Sequence, residues 1–214
     1  MFTGIIRHTG KVVSVNPSGE GKRITVSAPP EFLARLEKGI TSIAIDGACH
    51  TAETFDTKAF TVYSSFETLA RTTIGGLTAG SEVNLELPLT PHSLMDGHIV
   101  QGHVDGIGRI EDIEAKGESR CYTFSLPKET AFYLVEKDSI SIDGISLTLF
   151  NIAGNTFQAA VIPETIANTS LSRKKPGANV NIEVNILAKY AARMNGASPD
   201  TAMENKLKNW LAGG

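Results

Sequence analysis

Short runs rich in β-branched and aromatic residues alternate with clusters of Gly, Pro, Asn and Asp along most of the chain. Lys22–Ala28, Thr41–Ile45, Ala59–Ser64 and Glu82–Leu87 are the β-rich runs of the first half. Ser119–Leu126, Asp138–Ile142, Thr156–Ile162 and Asn179–Val184 are those of the second. Short strands at this spacing predict a sandwich or a small barrel. A short helix is predicted after a proline in each half, over Pro30–Leu36 and Pro127–Val135, because proline suits a first helical position.

The two halves repeat. Asp46-Gly47-Ala48-Cys49-His50-Thr51 is answered 97 residues later by Asp143-Gly144-Ile145-Ser146-Leu147-Thr148. The same offset relates Glu67-Thr68 to Glu164-Thr165, Thr72 to Thr169, and Val83-Asn84-Leu85-Glu86 to Val180-Asn181-Ile182-Glu183. Near the starts, Gly4 and Gly10 answer Gly102 and Gly108 at 98, so a single one-residue gap intervenes. So long a period in only two copies predicts two similar domains rather than a solenoid, and a site that handles two similar things. The domains are expected over residues 1–97 and 98–186, with the turn-rich segment 88–97 as linker and 187–214 as a tail.

The tail changes character. Ile186–Asn195 has helical spacing, with Leu187, Tyr190, Ala191 and Met194 on one side, and stops at Gly196. Ser198-Pro199 reads as the N-cap and first residue of a further helix carrying Ala202, Met203, Leu207, Trp210 and Leu211. That apolar stripe either folds back on its own barrel or meets another subunit.

Composition narrows the function classes. The 214 residues carry a net charge of −3 with scattered basic groups, which is no footprint for nucleic acid. No apolar run approaches the roughly 20 residues that span a bilayer, and Met1–Ile6 lacks the features of a signal peptide. Cys49 and Cys121 make neither a disulfide nor a zinc framework. The expected setting is the reducing cytoplasm.

Duplicated scaffolds inform most where the copies differ. Cys49 stands opposite Ser146, His50 opposite Leu147, His103 opposite Ile5 and Lys137 opposite Ile40. A thiol and a hydroxyl at equivalent positions are both potential nucleophiles or hydrogen-bond donors. His103 can move protons near neutral pH, and Lys137 can neutralise an anion. Plainer roles compete: a cysteine beside a tight turn is more often a small buried residue. Ser146 and Thr148 can hold a turn, and Glu67 and Glu164 can cap short helices. His8, His92 and His98 have no second ligand at metal spacing and read as surface or turn residues, so no metal site is expected.

Several of these segments resemble riboflavin synthase of the α-chain type. They are Met1-Phe2-Thr3-Gly4-Ile5-Ile6, the stretch Gly97-His98-Ile99-Val100-Gln101-Gly102-His103-Val104-Asp105-Gly106, and Ile142 through Thr148. The paired Glu-Thr-x-x-x-Thr segments at 67–72 and 164–169 match too, and the resemblance runs from residue 1 to about Tyr190. It implies an all-β fold of two tandem six-stranded Greek-key barrels with a C-terminal helix that trimerises. It also implies a transferase that dismutates two molecules of 6,7-dimethyl-8-ribityllumazine into riboflavin and 5-amino-6-(D-ribitylamino)uracil, without metal or redox cofactor. Each site would form between the first barrel of one subunit and the second barrel of a neighbour. Lumazine synthase is a candidate partner.

Carried over by position, the first pocket is expected to use Gly4, Ile5 and Ile6, then Cys49, His50 and Thr51, then Tyr63, Ser64, Ser65, Phe66, Glu67 and Thr68. The second is expected to use Gly102, His103 and Val104, Lys137, Ser146, Leu147 and Thr148, and Ala160, Val161, Ile162, Pro163, Glu164 and Thr165. Cys49 and Ser146 would be polar partners near the reacting carbons and His103 the proton carrier. Three departures stand out: His50-Thr51-Ala52 where the family has Leu-Thr-Val, Asn185 where it often has aspartate, and Asp96 in place of a linker glycine. His50 would either lower the pKa of the adjacent thiol or point to solvent. The rival function is a non-catalytic lumazine or flavin binder. A flavin reductase would need a nicotinamide-binding domain, for which nothing after Val184 is long enough.

Overall fold

The structure is a computed structural model and describes residues 1–198. The further tail helix expected from Pro199 onward lies outside the described residues. In the first half the elements are β1 (His8–Ser18), β2 (Gly21–Ser27), α1 (Pro30–Leu33), β3 (Ser42–Ile45), β4 (Ala48–Phe55), β5 (Ala59–Ser64), α2 (Phe66–Arg71) and β6 (Glu82–Glu86). The second half repeats them as β7 (Gly106–Lys116), β8 (Ser119–Ser125), α3 (Lys128–Ala131), β9 (Ser139–Ile142), β10 (Ile145–Ala153), β11 (Thr156–Val161), α4 (Pro163–Asn168) and β12 (Asn179–Val184). A last helix, α5 (Ile186–Met194), follows.

Each half closes into a six-stranded antiparallel barrel. The first runs β1-β2-β5-β4-β3-β6, and the second runs in the same order, β7-β8-β11-β10-β9-β12. Closure removes exposed sheet edges, which small open sheets must otherwise protect. Phe32 and Phe60 stack inside the first barrel, and Phe124 and Phe157 inside the second. Four strands escape the sequence pattern: β1, β4, β7 and β10. β4 shows why, since its inward positions are Ala48, His50 and Ala52, too short or too polar to display a hydrophobic period.

The repeated Asp-Gly motifs are hairpin turns. Ile45 pairs with Ala48 and Ile142 with Ile145, leaving two-residue loops whose residues all have positive φ. That is the turn whose twist suits a β-hairpin, and Asp-Gly is well adapted to it. The two turns meet back to back: a Cβ added to Gly47 would lie 2.6 Å from the Gly144 nitrogen.

The barrels also exchange their leading segments. Ile6 is buried in the second barrel's core, and Val104 packs against the first. Phe2 and Val100 pair through backbone bonds of 2.7 and 3.1 Å where the segments cross. Buried carboxylates hold both segments in place. Glu86 accepts from the backbone of Thr3 (2.7 Å) and Gly4 (3.0 Å), and Glu183 accepts from Gln101 (2.7 Å) and Gly102 (2.9 Å). Asn84 donates to the Asp143 carbonyl (3.0 Å), and Asn181 donates reciprocally to the Asp46 carbonyl (2.7 Å). These polar pairs satisfy backbone groups that the interface would otherwise strand.

Candidate active site

The exchange decides which residues share a surface. Gly4, Ile5 and Ile6 line a cavity of about 370 Å³ together with Ser146, Glu164 and Thr165 of the second barrel. Gly102 lies on Cys49 of the first, its carbonyl accepting the Cys49 N–H at 2.9 Å. The expected grouping of the leading segments is therefore reversed: 4–6 belongs with the second barrel and 102–104 with the first. No local pattern reports this, because the contacts that place the segments, Ser146 N–H to Gly4 and Cys49 N–H to Gly102, join residues far apart in the chain. A separate depression of about 260 Å³, between β6 and the linker, is lined by Arg7, Arg35 and His92 but gathers none of the expected catalytic residues.

At the rims, Thr51, Tyr63, Phe66, Glu67, His103, Lys137, Thr148, Ala160, Ile162, Pro163 and Glu164 are exposed. Ile5, Cys49, Ser65, Thr68, Val104, Ser146 and Thr165 are half-buried. Gly4, Ile6, His50, Ser64, Gly102, Leu147 and Val161 are buried. Successive strand residues face opposite ways, so Cys49 and Ser146 point outward while His50 and Leu147 point into the barrels. Ser65, not Glu67, caps α2 by accepting from the Thr68 N–H. Glu67 instead pairs with Arg71 in the same helix.

The Cys49 thiol is pushed above its ordinary range by burial, against a bond from Ser42 and the amino-terminal charge that pull it down. It is therefore a thiol at neutral pH, suited to hydrogen bonding rather than thiolate attack. Ser146 is held twice, its N–H on the Gly4 carbonyl at 2.8 Å and its hydroxyl on His98 Nδ1 at 2.7 Å. His98, expected as a surface or turn residue, is instead half-buried on Ser146, which only the crossing of the leading segments brings to it. Burial lowers its pKa while Asp138 pulls it up, so the ring is neutral at pH 7.

His50 neither flanks the thiol nor reaches solvent, contrary to both expectations. Its ring is buried, with Nδ1 on the Ala48 carbonyl (2.8 Å) and Nε2 on the Ser64 hydroxyl (2.7 Å). The second barrel has Leu147 and Val161 at the equivalent positions, both in its core. His50→Leu alone leaves the Ser64 hydroxyl unpaired in the core and is expected to cost about 1–3 kcal/mol. Adding Ser64→Val should recover most of that, whereas additive losses in urea denaturation would show the pair to be uncoupled. Burial depresses the His50 pKa below its ordinary 6.5, opposed by the Ala48 carbonyl. Its stabilising contribution is thus present above about pH 6.5 and lost as pH falls, and the double variant should lack that acid limb.

Asn185 has structural work of its own. It caps α5 by accepting from the Leu187 N–H (3.1 Å) and donates to Asp138 (2.8 Å). Among the described residues no cluster of His, Cys, Asp and Glu could hold a metal ion, and no helix is long and apolar enough to cross a membrane.

Comparison with known proteins agrees with this architecture. The lumazine binding domain family matches twice, over residues 3–88 and 101–185, one match per barrel. The riboflavin synthase of Actinobacillus pleuropneumoniae is 40% identical over 89% of this chain and 87% of its own length. That of Bacillus subtilis is 38% identical over 90% and 89%. The solved structure of LumP complexed with 6,7-dimethyl-8-(1'-D-ribityl) lumazine shares the fold, with a TM-score of 0.78 at 23% identity, covering 86% of this chain and 99% of LumP. With a lumazine binding domain in each barrel and full-length relatives at this level of identity, the chain belongs to the riboflavin synthase family.

Proposed function

We propose that the protein dismutates two molecules of 6,7-dimethyl-8-ribityllumazine, transferring a four-carbon unit to give riboflavin and 5-amino-6-(D-ribitylamino)uracil. The observation that carries this reading is the pair of equivalent surfaces that carry different reactive groups at the same place, Cys49 on one and Ser146 on the other. One ligand shape is bound twice, and the two copies are handled differently. Outward-facing strand edges suit the pyrimidinedione ring, while Thr51, Glu67, Thr68, Lys137, Thr148, Glu164 and Thr165 suit the ribityl hydroxyls.

The reaction removes a proton from the 7-methyl group of one lumazine and promotes addition at C7 of the other. The methyl group is itself acidic, so holding two molecules face to face supplies much of the rate. Cys49 and Ser146 act as polar partners at the reacting carbons, and exposed His103 carries protons. The two surfaces come together between neighbouring subunits of a homotrimer. α5 supports this reading, because Leu187, Tyr190 and Met194 leave an apolar face open to solvent, Met194 at 86% exposure. The Greek-key description of each barrel, a cytoplasmic location and an association with lumazine synthase belong to the same proposal.

Purified protein mixed with the lumazine alone should form one riboflavin and one diaminouracil per two lumazines consumed, followed by absorbance and product analysis. Tight binding with shifted fluorescence and no riboflavin would instead favour a lumazine-binding relative, the reading to which Asn185 lends weight. Cys49→Ser with undiminished turnover would remove the thiol from the mechanism.

A further inference from the structure

We propose that His98 is a positioning residue for this transfer, acting through Ser146 and making the second barrel's half-site chemically unlike the first. The inference rests on the function proposed above. His98 Nδ1 lies 2.7 Å from Ser146 Oγ, and the ring is half-buried. Its backbone is pinned as well, the His98 N–H donating to the Thr3 carbonyl at 3.1 Å. Gly97 makes the approach possible: a Cβ there would lie 2.1 Å from the Thr3 carbonyl oxygen and 3.1 Å from the Ser146 Cβ. The imidazole therefore reaches Ser146 from a segment locked by the exchange between barrels, while the Gly4 carbonyl fixes the serine main chain from the other crossing segment.

Neutral His98, with its proton on Nε2, accepts the Ser146 hydrogen at Nδ1. The hydroxyl cannot then rotate freely, and its oxygen lone pairs are turned toward the cavity lined by Ile5, Glu164 and Thr165. Asp138, ahead of β9, is the carboxylate whose charge acts on the ring and opposes the effect of burial. Asp138 is itself oriented by the Ser139 N–H (2.7 Å) and by Asn185 (2.8 Å). Behind Thr3, the Glu86 carboxylate is occupied by the Thr3 and Gly4 amides. Among the described residues no imidazole bonds Cys49, whose thiol is paired with the Ser42 side chain instead. The Cys49 backbone N–H donates to the Gly102 carbonyl, while its thiol meets the Ser42 side chain and the amino-terminal and Glu183 charges. One half-site thus holds a hydroxyl oriented by an imidazole, and the other a thiol paired with a serine.

The test is a double-mutant cycle on the full-length chain, measuring turnover of the lumazine across pH 5–9. His98→Ala should lower kcat about tenfold, the worth of one oriented hydrogen bond, with KM little changed. Ser146→Ala should cost at least as much, and the double variant should be no slower than Ser146→Ala alone. His98→Asn, which keeps an acceptor near the Nδ1 position but cannot titrate, should recover part of kcat and lose the acid limb that His98 gives the unaltered protein. The sign follows from the depressed pKa: below it Nδ1 carries a proton, becomes a donor and no longer accepts from Ser146. Additive losses, an unchanged kcat in His98→Ala, or an acid limb retained in His98→Asn would overturn this proposal alone. Absence of riboflavin from the unaltered protein would overturn the function and this inference with it.

Discussion

Asp46→Asn is expected to stabilise the protein by about 2–4 kcal/mol at pH 8, an unusual sign for replacing a buried hydrogen-bonded side chain. Asp46 and Asp143 occupy equivalent places in the repeat, and both are buried at the barrel interface. Each carboxylate accepts a backbone N–H at 2.7 Å, from Asn84 and Asn181 respectively. Among the described residues one cation, Lys174, serves the two. Lys174 lies 2.7 Å from Asp143, and its counterpart in the first copy is Leu77. Burial draws the Lys174 ammonium down, but Asp143 and Asp46 more than offset that, so it stays charged. The second carboxylate is left unmatched, and burial plus the Asp143 charge push Asp46 up to about 8, against Lys174 and the Asn84 amide.

A carboxyl whose folded pKa is raised contributes stability that is fully present below its unfolded pKa, near 4, and is lost as pH rises through the folded value. The unaltered protein should therefore weaken from about pH 4 to about pH 8. Asparagine keeps the acceptor for the Asn84 N–H and removes the titration. The advantage of Asp46→Asn should vanish near pH 4 and grow toward pH 8, read as the difference between urea unfolding curves at each pH. The other titrating groups are common to both proteins and cancel in that difference. A variant less stable than the parent at pH 8 would mean that Asp46 is ionised and useful in the folded state. Asp143→Asn should help far less, because it takes the partner from Lys174 and leaves a buried ammonium with only Asp46 to answer it.

Gly47→Ala should destabilise by at least about 3 kcal/mol and separate the two barrels. Two penalties combine. Gly47 has φ +78°, where an L side chain is strained by roughly 1–2 kcal/mol. Its Cβ would also stand 2.6 Å from the Gly144 nitrogen and 3.0 Å from the Gly144 Cα, backbone atoms that cannot rotate away. The turns must part, and with them go the Asn84–Asp143 and Asn181–Asp46 bonds that tie the barrels together. Gly19→Ala is the control. It has φ +60° but no atom within 4 Å of the added carbon, so it should show the conformational penalty alone. Equal losses at the two sites, measured by thermal or urea unfolding, would mean that the Gly47–Gly144 approach carries no energetic weight.

Much of this protein was legible before any coordinates. The 97-residue repeat, the eight β-rich runs and the matched polar positions Asn84/Asn181 and Glu86/Glu183 identify two copies of one small β domain. The mismatch of Cys49 with Ser146 is one of the places where the copies differ chemically, alongside His50/Leu147, His103/Ile5 and Lys137/Ile40. These features are local or periodic: a strand shows its inward face through alternation, a hairpin turn needs Asp-Gly for its positive φ, and a duplication preserves spacing. Tertiary structure alone decided the rest. Ile6 enters the second barrel and Val104 packs on the first, so each leading segment serves the other barrel's surface. The bonds that achieve this run between backbone atoms, or from Glu86 and Glu183 to backbone amides, across positions far apart in the chain, so no local pattern announces which barrel a segment joins. His50 could have faced either way until the register of β4 against β3 and β5 turned it inward to Ser64. His98 had no meaning as a residue until the crossing at Thr3 brought its ring to Ser146, because proximity across a chain is a property of packing and not of order along it.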